Sequence, residues 1–140
     1  MINIVLDTNV LAAALLKPGG SNRACLQTVI GNDQLFSVCY SSQMMAEYRE
    51  VLNRPFVTGR GLSREADALL SLVERVGEEI VPKFIPALVY PDIDDKPFLE
   101  AAVYVDAILI TNNIKDYPFL GVRIVGPDEF GAWWRSFSAR

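Results

Sequence analysis

The sequence has no histidine in its 140 residues. That absence removes Ser/His/Asp and Cys/His catalysis, His-ligated zinc and histidine general bases together. Any chemistry must be built from carboxylates, Ser, Thr, Lys, Tyr or Cys. Cysteine is scarce as well: Cys25 and Cys39 lie in apolar segments without CxxC spacing and read as buried thiols rather than a disulfide or metal pair. No apolar run approaches the roughly 20 residues of a membrane helix. No basic leader, apolar stretch and cleavage site follow one another at the start. A cytoplasmic protein without a membrane segment is therefore expected. Gly19-Gly20 lies in no GxGxxG or GxxxxGK[ST] pattern, so no phosphate-cradling loop is indicated. A net charge of −4 speaks against a broadly positive nucleic-acid surface. It leaves open acids gathered in one metal site, where the ions restore local neutrality.

What is present is a large apolar fraction, 51%, in a chain the size of one ordinary domain, and residues 1–140 are expected to fold as one. Ile2 to Leu6 is a β-branched run typical of a strand buried on both faces, ending abruptly in Asp7-Thr8-Asn9. Helices are expected over Val10 to Leu16, from Ser21 or Asn22 to about Ile30, over Gln43 to Leu52 and over Arg64 to Val76. The last should bury Leu69, Leu72, Val73 and Val76. Further strands are expected over Leu35 to Cys39, about Glu79 to Val81, Ala107 to Ile110 and Val122 to Val125. Pro82 to Pro91 reads as a loop, Phe98 to Val105 as a helix, and Gly126-Pro127-Asp128-Glu129 as the start of a final helix carrying Phe130, Trp133 and Trp134. Strands alternating with helices throughout indicate an α/β three-layer sandwich, a mainly parallel sheet flanked by helices.

In such sheets functional groups collect at the carboxyl ends of the strands. Asp7 stands there, as do Asn112-Asn113; Asp94-Asp95 opens the helix feeding the Ala107 to Ile110 strand, and Glu47 lies early in the helix after the second strand. Each has an ordinary alternative. Asp7 has the position of a turn or cap residue, Glu47 that of a solvated helix residue, and Asp94 and Asp95 those of N-caps, although one helix needs only one capping side chain.

Together these segments carry a more specific pattern. Ile4-Val5-Leu6-Asp7-Thr8-Asn9-Val10, Ser42 to Glu47, Asp95-Lys96-Pro97-Phe98-Leu99-Glu100-Ala101-Ala102 and Ile110-Thr111-Asn112-Asn113-Ile114-Lys115-Asp116-Tyr117-Pro118 resemble, in this order and spacing, the PIN domain nucleases, in particular VapC-like toxins of toxin-antitoxin modules. The resemblance covers essentially the whole chain. It implies that Asp7, Glu47 and Asp95 are the acids of a metal site, with Asp116 as a fourth, outer acid, Asn113 as a polar support, and Thr8 and Asn9 behind them; Asp94 and Thr111 complete the supporting set. It further implies a ribonuclease, an antitoxin partner and a homodimer, and a flank of Arg49, Arg54, Arg60 and Arg64 able to guide an RNA backbone, whose ordinary reading is a solvated, ion-paired face.

Elementary chemistry points the same way. Clustered carboxylates raise one another's pKa unless a divalent cation lies between them. All-oxygen ligands suit Mg²⁺ or Mn²⁺ rather than zinc. The expected reaction is in-line hydrolysis of an RNA phosphodiester, Asp7 and Asp95 being the central ligands and Glu47 and Asp116 holding water or a second ion. Trp133 and Trp134 are suited to base stacking or, more simply, to packing the last helix. A haloacid-dehalogenase-type phosphatase would need an Asp where Asn9 stands, and a receiver domain an acid pair beside its phosphorylated Asp. The serious alternative is a PIN fold kept only to bind RNA or an antitoxin.

Overall fold

The computed structural model describes residues 1–83, 93–117 and 121–140. Its first strand, β1 (Ile2–Leu6), buries Ile4, Val5 and Leu6 in succession. Successive strand residues face opposite sides of a sheet, so both faces of β1 are covered. Around it β2 (Phe36–Tyr40), β3 (Glu78–Glu79), β4 (Ile108–Ile110) and β5 (Arg123–Val125) form one sheet in the order β3-β2-β1-β4-β5, with every pairing parallel. The α/β sandwich expected from the strand and helix alternation is thus observed. From β1 the chain builds outward through β2 and β3 and then crosses to β4 and β5 on the other side. The order of strands therefore reverses between β1 and β4, where parallel sheets form a crevice beyond their carboxyl ends.

The helices are α1 (Thr8–Leu16), α2 (Ser21–Gly31), α3 (Ser42–Leu52), α4 (Pro55–Thr58), α5 (Ser63–Val76), α6 (Lys96–Tyr104) and α7 (Pro127–Ser138). On the sheet α2 lies against β2 and also meets α1 and α7, whereas α6 lies against β1 and β4 and meets α3, which in turn carries α5. Ser41 caps α3 by accepting from the Met44 amide at 3.2 Å, and Met44 and Met45 are both buried in the core. Cys25 and Cys39 are buried free thiols, as expected, and burial pushes the Cys25 thiol up to about 12. Among the described residues no helix is long and apolar enough to cross a membrane.

Several details differ from the sequence reading. The first helix starts at Thr8 rather than Val10, directly behind Asp7. Pro55 ends α3 and also begins a further short helix, because a proline without an N–H is suited to a first helical turn. In α5 the fully buried residues are Ala66, Leu70 and Val73, while Leu69, Leu72 and Val76 are only half-buried. The small Ala66 lets α5 approach α3 and α4 along a stripe one residue round from the expected one. Most of the expected Pro82 to Pro91 loop lies outside the described residues.

Both tryptophans pack α7. The Trp134 ring centroid lies 5.6 Å from that of Phe36, and Trp133 lies 5.6 Å from Phe130 and 5.2 Å from Phe137.

Candidate active site

Asp7 leaves the end of β1 with its amide donating to the Ile110 carbonyl at 3.0 Å, which fixes it beside the end of β4. It occupies the N-cap position of α1 without making a side-chain cap bond. Its carboxylate turns instead to the neighbouring strand end. Oδ2 accepts from Thr111 Oγ1 at 2.7 Å, Tyr117 Oη at 3.0 Å and Asn9 Nδ2 at 3.2 Å. Thr111 is completely buried, and its hydroxyl also accepts from the Asn113 amide at 3.0 Å. Asn9 Oδ1 receives the Asn112 amide at 3.1 Å, and Asn112 Nδ2 reaches Asn22 Oδ1 at 2.8 Å, which ties the loop after β4 to α1 and α2.

Glu47 comes from the second turn of α3, half-buried, and accepts the hydroxyl proton of Thr8. Asp94 and Asp95 belong to the 3-10 turn Ile93–Asp95 ahead of α6. Asp95 stands at the N-cap of α6 and, like Asp7, makes no side-chain cap bond. The structural use that each acid had available is therefore not taken up. Tyr117 Oη lies 3.5 Å from Asp95 Oδ1, so one phenol faces both acids. Asp7, Thr8, Asn9, Glu47, Asp94, Asp95 and Asn113 line a single open cleft of about 470 Å³, together with Ala12, Glu50, Val51 and Arg54.

The cleft is short of positive charge. Burial lifts the Asp7 carboxyl above its ordinary value, against the hydrogen bonds from Thr111, Tyr117, the Thr8 backbone and Asn9. Glu47 is lifted too, first by burial and then by the like charges of Asp7, Asp94 and Glu50, while the Thr8 hydroxyl works the other way. The Tyr117 phenol is pushed far up by burial and by Asp7, Asp95 and Glu47, so it stays a donor. Arg54 is engaged by Glu50 at 2.8 Å, and Arg49 by Glu74 away from the cleft. A divalent cation beside Glu47 would offset both its burial and the like charges around it. The lining is all oxygen, without thiolate or imidazole, and fits a hard ion such as Mg²⁺ or Mn²⁺. Among the described residues no three acids are drawn close enough together to enclose an ion.

An all-oxygen acidic cleft at the crevice of this parallel sheet coincides with a family match: the PIN domain model matches residues 3–115. The chain belongs to the PIN domain family. It is a family of nucleases, and the match spans the segments bearing Asp7, Glu47, Asp95 and Asn113. Among solved structures, this PIN domain is similar to the VapBC2 complex of Rickettsia felis bound to a DNA fragment from its promoter, with a TM-score of 0.61 and 18% identity over 89% of this chain and 98% of the other. It is equally similar in fold to DNA-bound VapBC from Salmonella typhimurium, with a TM-score of 0.61 and 15% identity over 91% of this chain and 99% of that one. No curated protein matches the sequence.

Of the residues singled out from the PIN resemblance, Asp7, Thr8, Asn9, Glu47, Asp94, Asp95 and Asn113 share the cleft, and Thr111 lies behind Asp7. Asp116, expected as the outer acid, is exposed on the 3-10 turn Ile114–Asp116 and is not part of the cleft lining. The residue after it, Tyr117, points inward to Asp7, and sequence reasoning passed over it as the aromatic end of a motif. Glu50, one turn beyond Glu47 on α3, was not singled out, and Arg54, expected only as part of an arginine flank, caps α4 and lines the cleft itself. For Glu50 the signal was available: positions 47 and 50 share a helix face at three-residue spacing.

Proposed function

We propose that this PIN domain is a divalent-metal-dependent endoribonuclease and the toxin of a toxin-antitoxin module. The observation that carries this reading is the convergence of Asp7, Glu47, Asp94 and Asp95 on one cleft at the strand crossover, where burial first, and then the like charges of Asp7, Asp94 and Glu50, raise the Glu47 carboxyl. Asp7 and Asp95 would be the central ligands of Mg²⁺ or Mn²⁺, with Glu47 beside them. Asp94, which acts on Glu47 through its charge, stands where an outer acid was expected from Asp116. A bound cation supplies Lewis acidity to the phosphoryl oxygen and lowers the pKa of water at that point.

The chain's own groups do the rest. Thr8 holds the Glu47 carboxylate in place, which leaves its other oxygen to orient a nucleophile or take up a proton. Thr111 and Tyr117 fix Asp7 from behind, and the Asn9–Asn112–Asn22 chain braces the loop that presents Asn113. Arg54, at the rim, is placed to meet a phosphate if it exchanges Glu50 for the RNA backbone.

The fold similarity to VapBC structures supports an antitoxin as protein partner, and the PIN resemblance supports RNA as substrate, a homodimer and a cytoplasmic setting. The test is cleavage of single-stranded RNA, with DNA of the same sequence alongside, by partner-free protein with Mg²⁺, Mn²⁺ or EDTA. Metal-dependent RNA cleavage that Asp7→Asn abolishes is the expected result. Equal inertness of both proteins, with RNA or antitoxin binding intact, would make the chain a PIN-fold binding module instead.

A further inference from the structure

Tyr117 leaves the turn after β4 and buries its ring, which is 7% exposed, directly behind the cleft. Its hydroxyl is 3.0 Å from Asp7 Oδ2 and 3.5 Å from Asp95 Oδ1, so its polar atom reaches acids from both ends of the proposed metal site. Those acids come from unrelated elements, the end of β1 and the turn before α6, and their charges repel. A phenol has one proton to give and an oxygen that fits between two carboxylates. On Asp7 the proton completes a set of three donors, Thr111, Tyr117 and Asn9, all on Oδ2. The side-chain donors thus crowd onto one oxygen of the carboxylate, and its other oxygen receives none of them.

We propose that Tyr117 is a positioning residue of the metal centre: its hydroxyl, bonded to Asp7 Oδ2 and 3.5 Å from Asp95 Oδ1, fixes the orientation of the Asp7 carboxylate beside Asp95. The role rests on the reading of the cleft as a metal site. Tyr117 lies outside the cleft lining and would act through Asp7. Groups that orient metal ligands in this way commonly change affinity about 10- to 100-fold when removed.

The test is Tyr117→Phe, which keeps the buried ring and deletes the oxygen, followed by Mn²⁺ titration calorimetry of the metal-free protein and by RNA kinetics. The expected result is Mn²⁺ affinity lower by about 10-fold or more, with an unchanged KM for RNA and a turnover deficit that shrinks as Mn²⁺ approaches saturation. A purely structural role would not produce that recovery. Wild-type Mn²⁺ affinity in the variant overturns the proposal while leaving the nuclease reading intact. Weakened Mn²⁺ binding in a pair of proteins that both fail to cleave RNA supports it and overturns the nuclease reading. Absence of Mn²⁺ binding by the wild type overturns both. If the variant does not fold, the wild type alone decides the matter: the Tyr117 hydroxyl proton should give a slowly exchanging ¹H resonance that shifts on Mg²⁺ titration, and a resonance indifferent to Mg²⁺ overturns the proposal.

Discussion

Thr111 Oγ1 donates to Asp7 Oδ2 across 2.7 Å, joining two residues 104 positions apart in the chain. The bond forms because β1 and β4 are neighbours, with Leu6 level with Ile110, so the residue following each strand arrives at the same height. Thr111→Val keeps the shape of the buried side chain and removes the donor. Asp7 would then lose its closest hydrogen bond in a site shielded from water, and its ionised form would be disfavoured further. The expected loss is about 10-fold or more in metal affinity or kcat/KM, with about 1–2 kcal/mol of stability. Metal titration and chemical denaturation of the same variant measure the two separately.

Asp7 itself should destabilise the metal-free fold at neutral pH. Well below its ordinary pKa of 3.8 the carboxyl is protonated in folded and unfolded chains alike, and its burial carries no charge penalty. As pH rises through 3.8 the unfolded chain releases the proton first, while the folded chain keeps it to a higher pH because burial raises the group. Stability therefore falls across that window and stays lower above it. Asp7→Asn removes the effect and should stabilise the metal-free protein at pH 7, on the order of 1 kcal/mol, while abolishing RNA cleavage. Saturating Mg²⁺ should narrow the difference, since a ligand bound only by the folded state stabilises it. Thermal melts at pH 4 and pH 7, with and without Mg²⁺, check the sign; a less stable Asp7→Asn at pH 7 without metal would contradict it.

Asp94 and Asp116 separate by their surroundings. Asp94 lines the cleft and its charge reaches Glu47, whereas Asp116 is exposed on a turn outside the lining. Asp94→Asn should weaken Mn²⁺ binding measurably, and Asp116→Asn should leave it within about 2-fold, in the range of a substitution away from any special feature. Parallel calorimetric titrations of the two variants decide between them.

The fold was legible because β1 and β4 are short apolar runs that end in abrupt polar triplets, and because helix-forming segments separate the strands from β1 through β4. Asp7, Glu47 and Asp95 were legible for a related reason: strand ends and helix starts are places a one-dimensional pattern can locate. What the pattern could not show is which way a side chain turns once several elements meet. Asp116 and Tyr117 are adjacent, yet the turn after β4 sends the acid outward and the aromatic inward, and polarity alone suggests the opposite. The stripe of α5 differs for a similar reason, since Ala66 is too small to announce itself as a contact and yet is buried with Leu70 and Val73.

Arg54 offers the last test. Both its Nε and a terminal nitrogen bond Glu50 Oε1, at 3.1 and 2.9 Å, and the terminal nitrogen also reaches Oε2 at 2.8 Å. The pair is exposed and four residues apart on one helical stretch, so its contribution to stability is small. Its place in the cleft lining gives it a different importance, because the negative lining must still admit a polyanion. A guanidinium can exchange one planar anion for another and so pass from Glu50 to a phosphate. Arg54→Ala should therefore leave the melting temperature nearly unchanged and raise KM for RNA, while reducing the slope of log affinity against log salt by about 0.7 for one lost single-strand phosphate contact. Glu50→Gln, which releases the arginine without removing it, should lower KM. Equal effects from the two substitutions would mean that the pair serves only α3.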